Sequence, residues 1–336
     1  MITRTEKIRQ TPIWQRELAH AIQDLDELLE FIQLDRAELA VSDAACEQFS
    51  LRIPIAYAER IKKADAQDPL LRQILPVADE MQPNPGFTHD PVSDQQSIVA
   101  QGLLQKYHGR ALLITTGACA IHCRYCFRRH FPYNQSQASI SEWSDSIEYL
   151  RNKKDITEII LSGGDPLTLS DTRLTKLIHK IESIPHIKTL RIHTRLPIVL
   201  PSRVCSKLLE WIKKSRLNIV VVVHCNHANE IDFAVTEALQ KLKNEGVTLL
   251  NQSVLLAGIN DSTNALQHLS ETLFSAGVIP YYLHMLDPVA GAAHFDVNKH
   301  QATKLIQALQ ARLPGYLIPR LVQEIPGEPS KTPAFP

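Results

Sequence analysis

Three cysteines, Cys119, Cys123 and Cys126, are spaced CxxxCxxC within Gly117-Ala118-Cys119-Ala120-Ile121-His122-Cys123-Arg124-Tyr125-Cys126-Phe127-Arg128-Arg129, directly after an apolar run. Thiolates are soft ligands, and three of them in a short loop can hold three irons of a four-iron cluster. The fourth iron is then open to bind a substrate or cofactor, which favours chemistry over plain electron transfer. A structural zinc site is the alternative, and it would draw its fourth ligand from His122 or His130.

The rest of the chain must position that loop. With 336 residues, 44% hydrophobic and 21% charged, it can bury a full core as one large domain or two. Lys+Arg and Asp+Glu are both 36, so no net electrostatic footprint for nucleic acid or an anionic membrane exists. The first residues carry Arg4, Glu6, Lys7 and Arg9 without an apolar segment, and no run reaches the roughly 18 apolar residues of a spanning helix. The expected location is the cytoplasm, where the six cysteines stay reduced; Cys46, Cys205 and Cys225 read as free thiols.

Apolar residues three or four apart from Trp14 to Ile32 predict an amphipathic helix over 12–34. Further helical stretches are expected near 43–65, with Pro54 as a break or first turn, and around 69–81. Pro83, Pro85, Gly86 and Pro91 make 82–95 the best linker candidate.

From residue 111 short apolar runs alternate with helical stretches. Ala111 to Thr116, Glu158 to Ser162, Thr189 to His193, Asn218 to His224, Thr248 to Leu255 and Ile279 to Met285 read as buried parallel strands. Helix starts are expected at Ser141, at Ser170 or Asp171, at Ser202, at Asn229 or Glu230, and at Asp261 or Ser262. This alternation predicts an α/β fold with a parallel sheet, either doubly wound or curved into part of a barrel. Chemistry gathers at the carboxyl ends of such strands. There the sequence carries Gly163-Gly164-Asp165, His193-Thr194-Arg195, His224-Cys225-Asn226-His227, Asn251-Gln252-Ser253 and Asp287.

The cysteine spacing resembles the radical SAM superfamily. Gly163-Gly164-Asp165-Pro166-Leu167, Arg195-Leu196-Pro197-Ile198-Val199-Leu200-Pro201, His224-Cys225-Asn226-His227, Asn251-Gln252-Ser253-Val254-Leu255-Leu256 and Asn260-Asp261 are similar to the lysine 2,3-aminomutase family, from the Trp14 helix to the Lys331 loop. That resemblance implies a partial (β/α)6 barrel at 96–297. Before it would lie a helical amino-terminal region with its linker at 1–95, and after it a carboxyl-terminal helix with a pyridoxal-lysine loop at 298–336.

It also implies three cofactors: a [4Fe-4S] cluster on Cys119, Cys123 and Cys126, S-adenosylmethionine, and pyridoxal 5′-phosphate. The pyridoxal lysine corresponds to Lys331, in Pro326-Gly327-Glu328-Pro329-Ser330-Lys331-Thr332-Pro333, where the family usually has a run of glycines. Lys106, Tyr107 and Arg110 fall at positions that hold the phosphate and ring, Lys106 replacing the usual arginine and so lacking its bidentate fork. Gly163, Gly164, Asp165, His193, Arg195, His224 and Gln252 correspond to the S-adenosylmethionine site. L-lysine brings a carboxylate and a distant ammonium. Arg128 matches the residue for the first, and Asp287 and Glu324 the acids for the second, with Glu324 one methylene longer than the usual aspartate.

The implied reaction moves the α-amino group of lysine to the β-carbon, an isomerisation that needs an external electron donor. The chain ends five residues after Lys331. It thus resembles the short-form branch that makes (R)-β-lysine for elongation factor P and its lysyl ligase, for which no intersubunit zinc and a smaller or different oligomer, a homodimer among the options, are expected. Two alternatives are an aminomutase acting on another amino acid and a radical SAM enzyme modifying RNA or peptide. A noncatalytic iron or zinc protein is a third.

Overall fold

A computed structural model describes residues 11–133 and 143–334. Its centre is the set of apolar runs expected to be strands: β3 (Arg110–Thr116), β4 (Glu158–Gly163), β5 (Thr189–Thr194), β6 (Asn218–His224), β7 (Thr248–Val254) and β8 (Ile279–His284), each within one residue of expectation at either end. They pair in chain order and all in parallel. Parallel neighbours need crossovers, and the helices Asp171–Glu182, Ser206–Lys214, Phe233–Asn244 and Thr263–Ser275 lie between successive strands.

Four short strands escaped the sequence pattern. β1 (Ile98–Ala100) and β2 (Leu103–Leu104) add antiparallel beside β3, while β9 (Arg320–Gln323) joins β8 in parallel and β10 (Thr332–Pro333) turns back antiparallel on β9. Segments of two to four residues are too short to display a period of two.

The sheet is curved. Six inter-strand steps separate β3 from β9, about 29 Å in a flat sheet. Yet Tyr107, just before β3, donates from its hydroxyl to Glu324 Oε1, just after β9, at 2.6 Å. Only a sheet rolled into a partial barrel brings its two sides that close, which decides between the two architectures left open by the strand pattern.

The amino-terminal stretch breaks where one helix over 12–34 was expected. Helices Ile13–Ala19 and Leu25–Ile32 flank Ile22, whose backbone exchanges hydrogen bonds with Ile53 at 2.8 and 2.9 Å, and Asp24 caps the second helix by accepting from the Glu27 amide at 2.9 Å. The 43–65 region holds only helices Asp43–Gln48 and Ile55–Ala58, the latter starting after Pro54. At 69–81 there are two 3-10 turns, Leu71–Gln73 and Ala78–Met81. These residues pack into the core shared with the strands, with Trp14, Ile22, Leu28 and Ile53 in the same buried cluster as Leu113, Leu161 and Val221.

Ser170 and Ser262 cap their helices by accepting from the amides of Arg173 and Ala265. Ser202 instead lies in a 3-10 turn opened by Pro201, and the helix begins at Ser206. Residues 229 and 230 also form a 3-10 turn, because the Glu230 carboxylate accepts from the Asn226 and His227 amides; the following helix is capped by Asp232. Ser141 lies outside the described residues. No helix is long and apolar enough to cross a membrane among the described residues.

Candidate active site

β3 runs directly into the cysteine loop, and the amino-terminal segment holds that loop from the other side. The buried Arg124 guanidinium donates to Glu80 at 2.6 and 2.8 Å and to the Ala45 carbonyl at 2.9 Å. Arg129 meets the same carboxylate at 2.7 Å. One buried acid thus pairs with two cations of the loop and offsets one of their two charges. The Arg124 amide donates to the Gln73 carbonyl and the His122 amide to the Arg52 carbonyl, so the loop backbone is pinned between cysteines.

The glycines after β4 are demanded by this loop. A Cβ on Gly164 would stand 2.4 Å from the Ala118 carbonyl oxygen, and one on Gly163, at φ +121°, would stand 2.6 Å from that of Thr116. The Gly164 amide instead donates to the Thr116 carbonyl at 2.7 Å, and the Asp165 amide to that of Ala118 at 2.8 Å. The Asp165 carboxylate is buried and joins β4 to β5, accepting from Thr194 Oγ1 and from the amides of Leu167, Arg195 and Leu196.

A cavity of about 510 Å³ opens at these strand ends. The structure places every site residue expected from the sequence on its wall. At one end lie Cys119, Cys123 and Cys126. Burial raises the thiols of Cys119 and Cys126, the latter to about 11, so thiolates there want a cation beside them. The two histidines considered as zinc ligands are engaged elsewhere. His122 Nδ1 lies 2.7 Å from the Ser50 carbonyl and its ring stacks on Phe49, while His130 Nε2 meets the Ala290 carbonyl and its ring stacks on His89. Among the described residues no three His, Cys, Asp or Glu side chains close on a single metal ion. Cysteines on separate irons of a cluster need no such convergence.

Beside the cysteines, Arg195 Nη1 donates to Cys123 Sγ, and Nη2 reaches Gln73 Oε1 at 2.7 Å and Glu230 Oε2 at 2.8 Å. The Tyr125 hydroxyl lies 2.8 Å from His224 Nε2, and burial lowers this imidazole to about 3, so it stays neutral. His193 Nε2 is buried without a hydrogen-bond partner. Gln252 lines the wall next to them.

The other end is charged. Lys331 Nζ sits 2.8 Å from Glu324 Oε2, and Tyr107 donates to Oε1 of the same carboxylate. Burial works against the Glu324 charge, but Lys331, Tyr107 and Lys106 outweigh it and hold this acid below its usual range. Asp287 faces the same space, and its recess pushes its carboxyl up to about 7. Arg110 stacks over the Tyr107 ring with its guanidinium carbon 4.8 Å from the centroid.

Asp94 organises the cations and was not singled out from the sequence. It lies in the Pro-rich stretch 82–95, which has no regular helix or strand and bridges to Val289 through Thr88. Buried, it meets Arg128 Nε at 2.7 Å through one oxygen and Lys106 Nζ at 2.8 Å through the other. Arg128 also donates to Ser162 Oγ at 3.0 Å. Gln73 and Glu230 were missed as site residues too, and no spacing marks them, since each acts only across the fold. Tyr281 and Tyr282, with ring centroids 3.8 Å apart, complete the wall near Lys331.

Residues 113–269 match the family model described as the Radical SAM superfamily. The chain is 49% identical over 321 residues to the L-lysine 2,3-aminomutase of Escherichia coli, covering 95% of this chain and 94% of that one. To the enzyme of the same name from Buchnera aphidicola it is 44% identical over 319 residues, with 95% and 94% covered. To that from Haemophilus influenzae it is 43% identical over 325 residues, with 97% and 96% covered.

Proposed function

Because the chain belongs to the L-lysine 2,3-aminomutase family of radical SAM isomerases, we propose that its cavity binds L-lysine together with a [4Fe-4S] cluster, S-adenosylmethionine and pyridoxal 5′-phosphate, and yields (R)-β-lysine. One observation carries this reading. A single cavity holds three cysteines at one end and, at the other, a lysine paired with one of two acids.

The donor set fits each group. Three half-buried cysteines on one cavity wall suit a cluster with one open iron, with His122 Nδ1 held at the Ser50 carbonyl and His130 Nε2 at that of Ala290. The unpartnered buried His193 Nε2 and the neutral His224 offer polar contacts for S-adenosylmethionine beside Gln252, Gly163 and Gly164. Lys331 would hold the pyridoxal aldehyde carbon, with Lys106 and Arg110 supplying positive charge for the phosphate and Tyr107 a ring beside it. When bound, the cluster and S-adenosylmethionine supply a radical that takes hydrogen from lysine, and pyridoxal phosphate carries the migrating nitrogen.

The protein's own part is positioning. Arg128, kept charged by Asp94, would bind the lysine carboxylate, and Asp287 with Glu324 would take the ε-ammonium. Two acids at that end favour a cationic side chain over an anionic one and so favour lysine over glutamate. The walls of Tyr125, Tyr281, Tyr282 and Leu286 limit water around the reacting atoms. The product would serve the modification of elongation factor P through its lysyl ligase, in the cytoplasm and with an external electron donor.

The test is anaerobic: reconstitution with iron and sulfide, addition of pyridoxal phosphate, S-adenosylmethionine, reductant and L-lysine, and detection of β-lysine by chiral mass spectrometry. Product is expected from the wild type and none from Lys331→Ala. Cleavage of S-adenosylmethionine without β-lysine would overturn the substrate. Deleting the gene should abolish β-lysylated elongation factor P, and unchanged modification would remove the pathway assignment.

A further inference from the structure

Resting on the cluster assignment above, we propose that Arg195 acts on the cluster itself, as a fixed cation on the Cys123 sulfur that raises the cluster's reduction potential. Both terminal nitrogens of the guanidinium are engaged. Nη1 points at Cys123 Sγ, while Nη2 is shared by Gln73 Oε1 and Glu230 Oε2. Its carbon lies 5.5 Å from the Tyr57 ring centroid and 5.8 Å from that of Tyr125. Glu230 is itself immobilised by the Asn226 and His227 amides and by Gln73 Nε2 at 3.2 Å. These partners leave Arg195 Nε buried without a partner.

An arginine in this position keeps its charge at any working pH. Reduction of the cluster moves one electron from an external donor onto it and adds one negative charge. A cation in contact with a ligand sulfur stabilises that added charge, and a hydrogen bond to the sulfur acts in the same direction. Glu230 meets the other terminal nitrogen, so the nearer charge to the sulfur is the positive one, and the carboxylate offsets the effect only in part.

The experiment is a mediated potentiometric titration of the anaerobically reconstituted full-length protein, with the reduced cluster followed by electron paramagnetic resonance. Arg195→Gln is expected to lower the midpoint potential, and Arg195→Lys, which keeps the charge without the fork, to lower it less. Wild-type potentials in both variants would overturn the proposal, as would equal shifts in both, since charge would then not be the cause. Failure of both variants to take up iron would also overturn it by making Arg195 a structural residue. If the wild-type protein takes up no four-iron cluster, the assignment beneath the proposal falls instead.

Discussion

Lys331 Nζ lies 2.8 Å from Glu324 Oε2, so the acid assigned to the substrate ammonium already holds an ammonium of the protein. If Glu324 takes the substrate ammonium as proposed, that ammonium competes with Lys331 for the same carboxylate.

Glu324→Gln tests this exchange. Losing a charge-assisted hydrogen bond of about 1.5–3 kcal/mol corresponds to a rise in lysine KM of roughly tenfold to 150-fold. Steady-state kinetics would measure it, and an unchanged KM would remove Glu324 from the lysine site.

Asp287 predicts a pH dependence. Its carboxyl, raised to about 7 by burial, is protonated below that pH in the free protein, and only the carboxylate can pair with an ammonium. Lysine binding then releases a proton as pH falls below 7, and affinity should weaken up to about tenfold per unit. In Asp287→Asn this slope should vanish along with most of the affinity. The folding contribution has the same origin: a carboxyl raised in the folded state costs most above pH 7 and nothing well below the ordinary carboxylate range. Equilibrium binding at pH 6, 7 and 8 checks the first part.

Asp94→Asn leaves Arg128 and Lys106 without their shared counter-ion. Breaking a buried pair costs about 3–5 kcal/mol, and denaturant unfolding of the protein should show a loss of that order. A loss below about 1 kcal/mol would mean that water or other groups compensate.

Gly164→Ala places a methyl group 2.4 Å from the Ala118 carbonyl, between two backbone segments that cannot both yield. Reconstituted iron content should fall sharply while the far-UV spectrum stays near wild type. Full iron loading would show that the cysteine loop can move aside.

Much of this site is legible in the sequence alone. The cysteine spacing, the apolar runs and the polar residues that end them are local, and the strands β3 to β8 follow them closely. Asp94, Gln73 and Glu230 are legible only in three dimensions, because a polar side chain in a Pro-rich stretch or a short turn has the same sequence signature whether it faces water or a buried cation. The break at Ile22 has the same origin. A helical pattern runs through it, but pairing with Ile53 removes the backbone groups a helix would need. Gly163 and Gly164 correspond by resemblance to the S-adenosylmethionine site, and the structure adds a nearer cause in the crossing of two loops.

The contact between Tyr107 and Glu324 joins residues 217 positions apart. During synthesis on a ribosome the cysteines emerge long before Glu324 and Lys331 do. A partly made chain therefore has the ligands for iron but neither the latch across the barrel nor the lysine that would hold the second cofactor. The wall of the cavity is therefore complete only once residue 331 has been made.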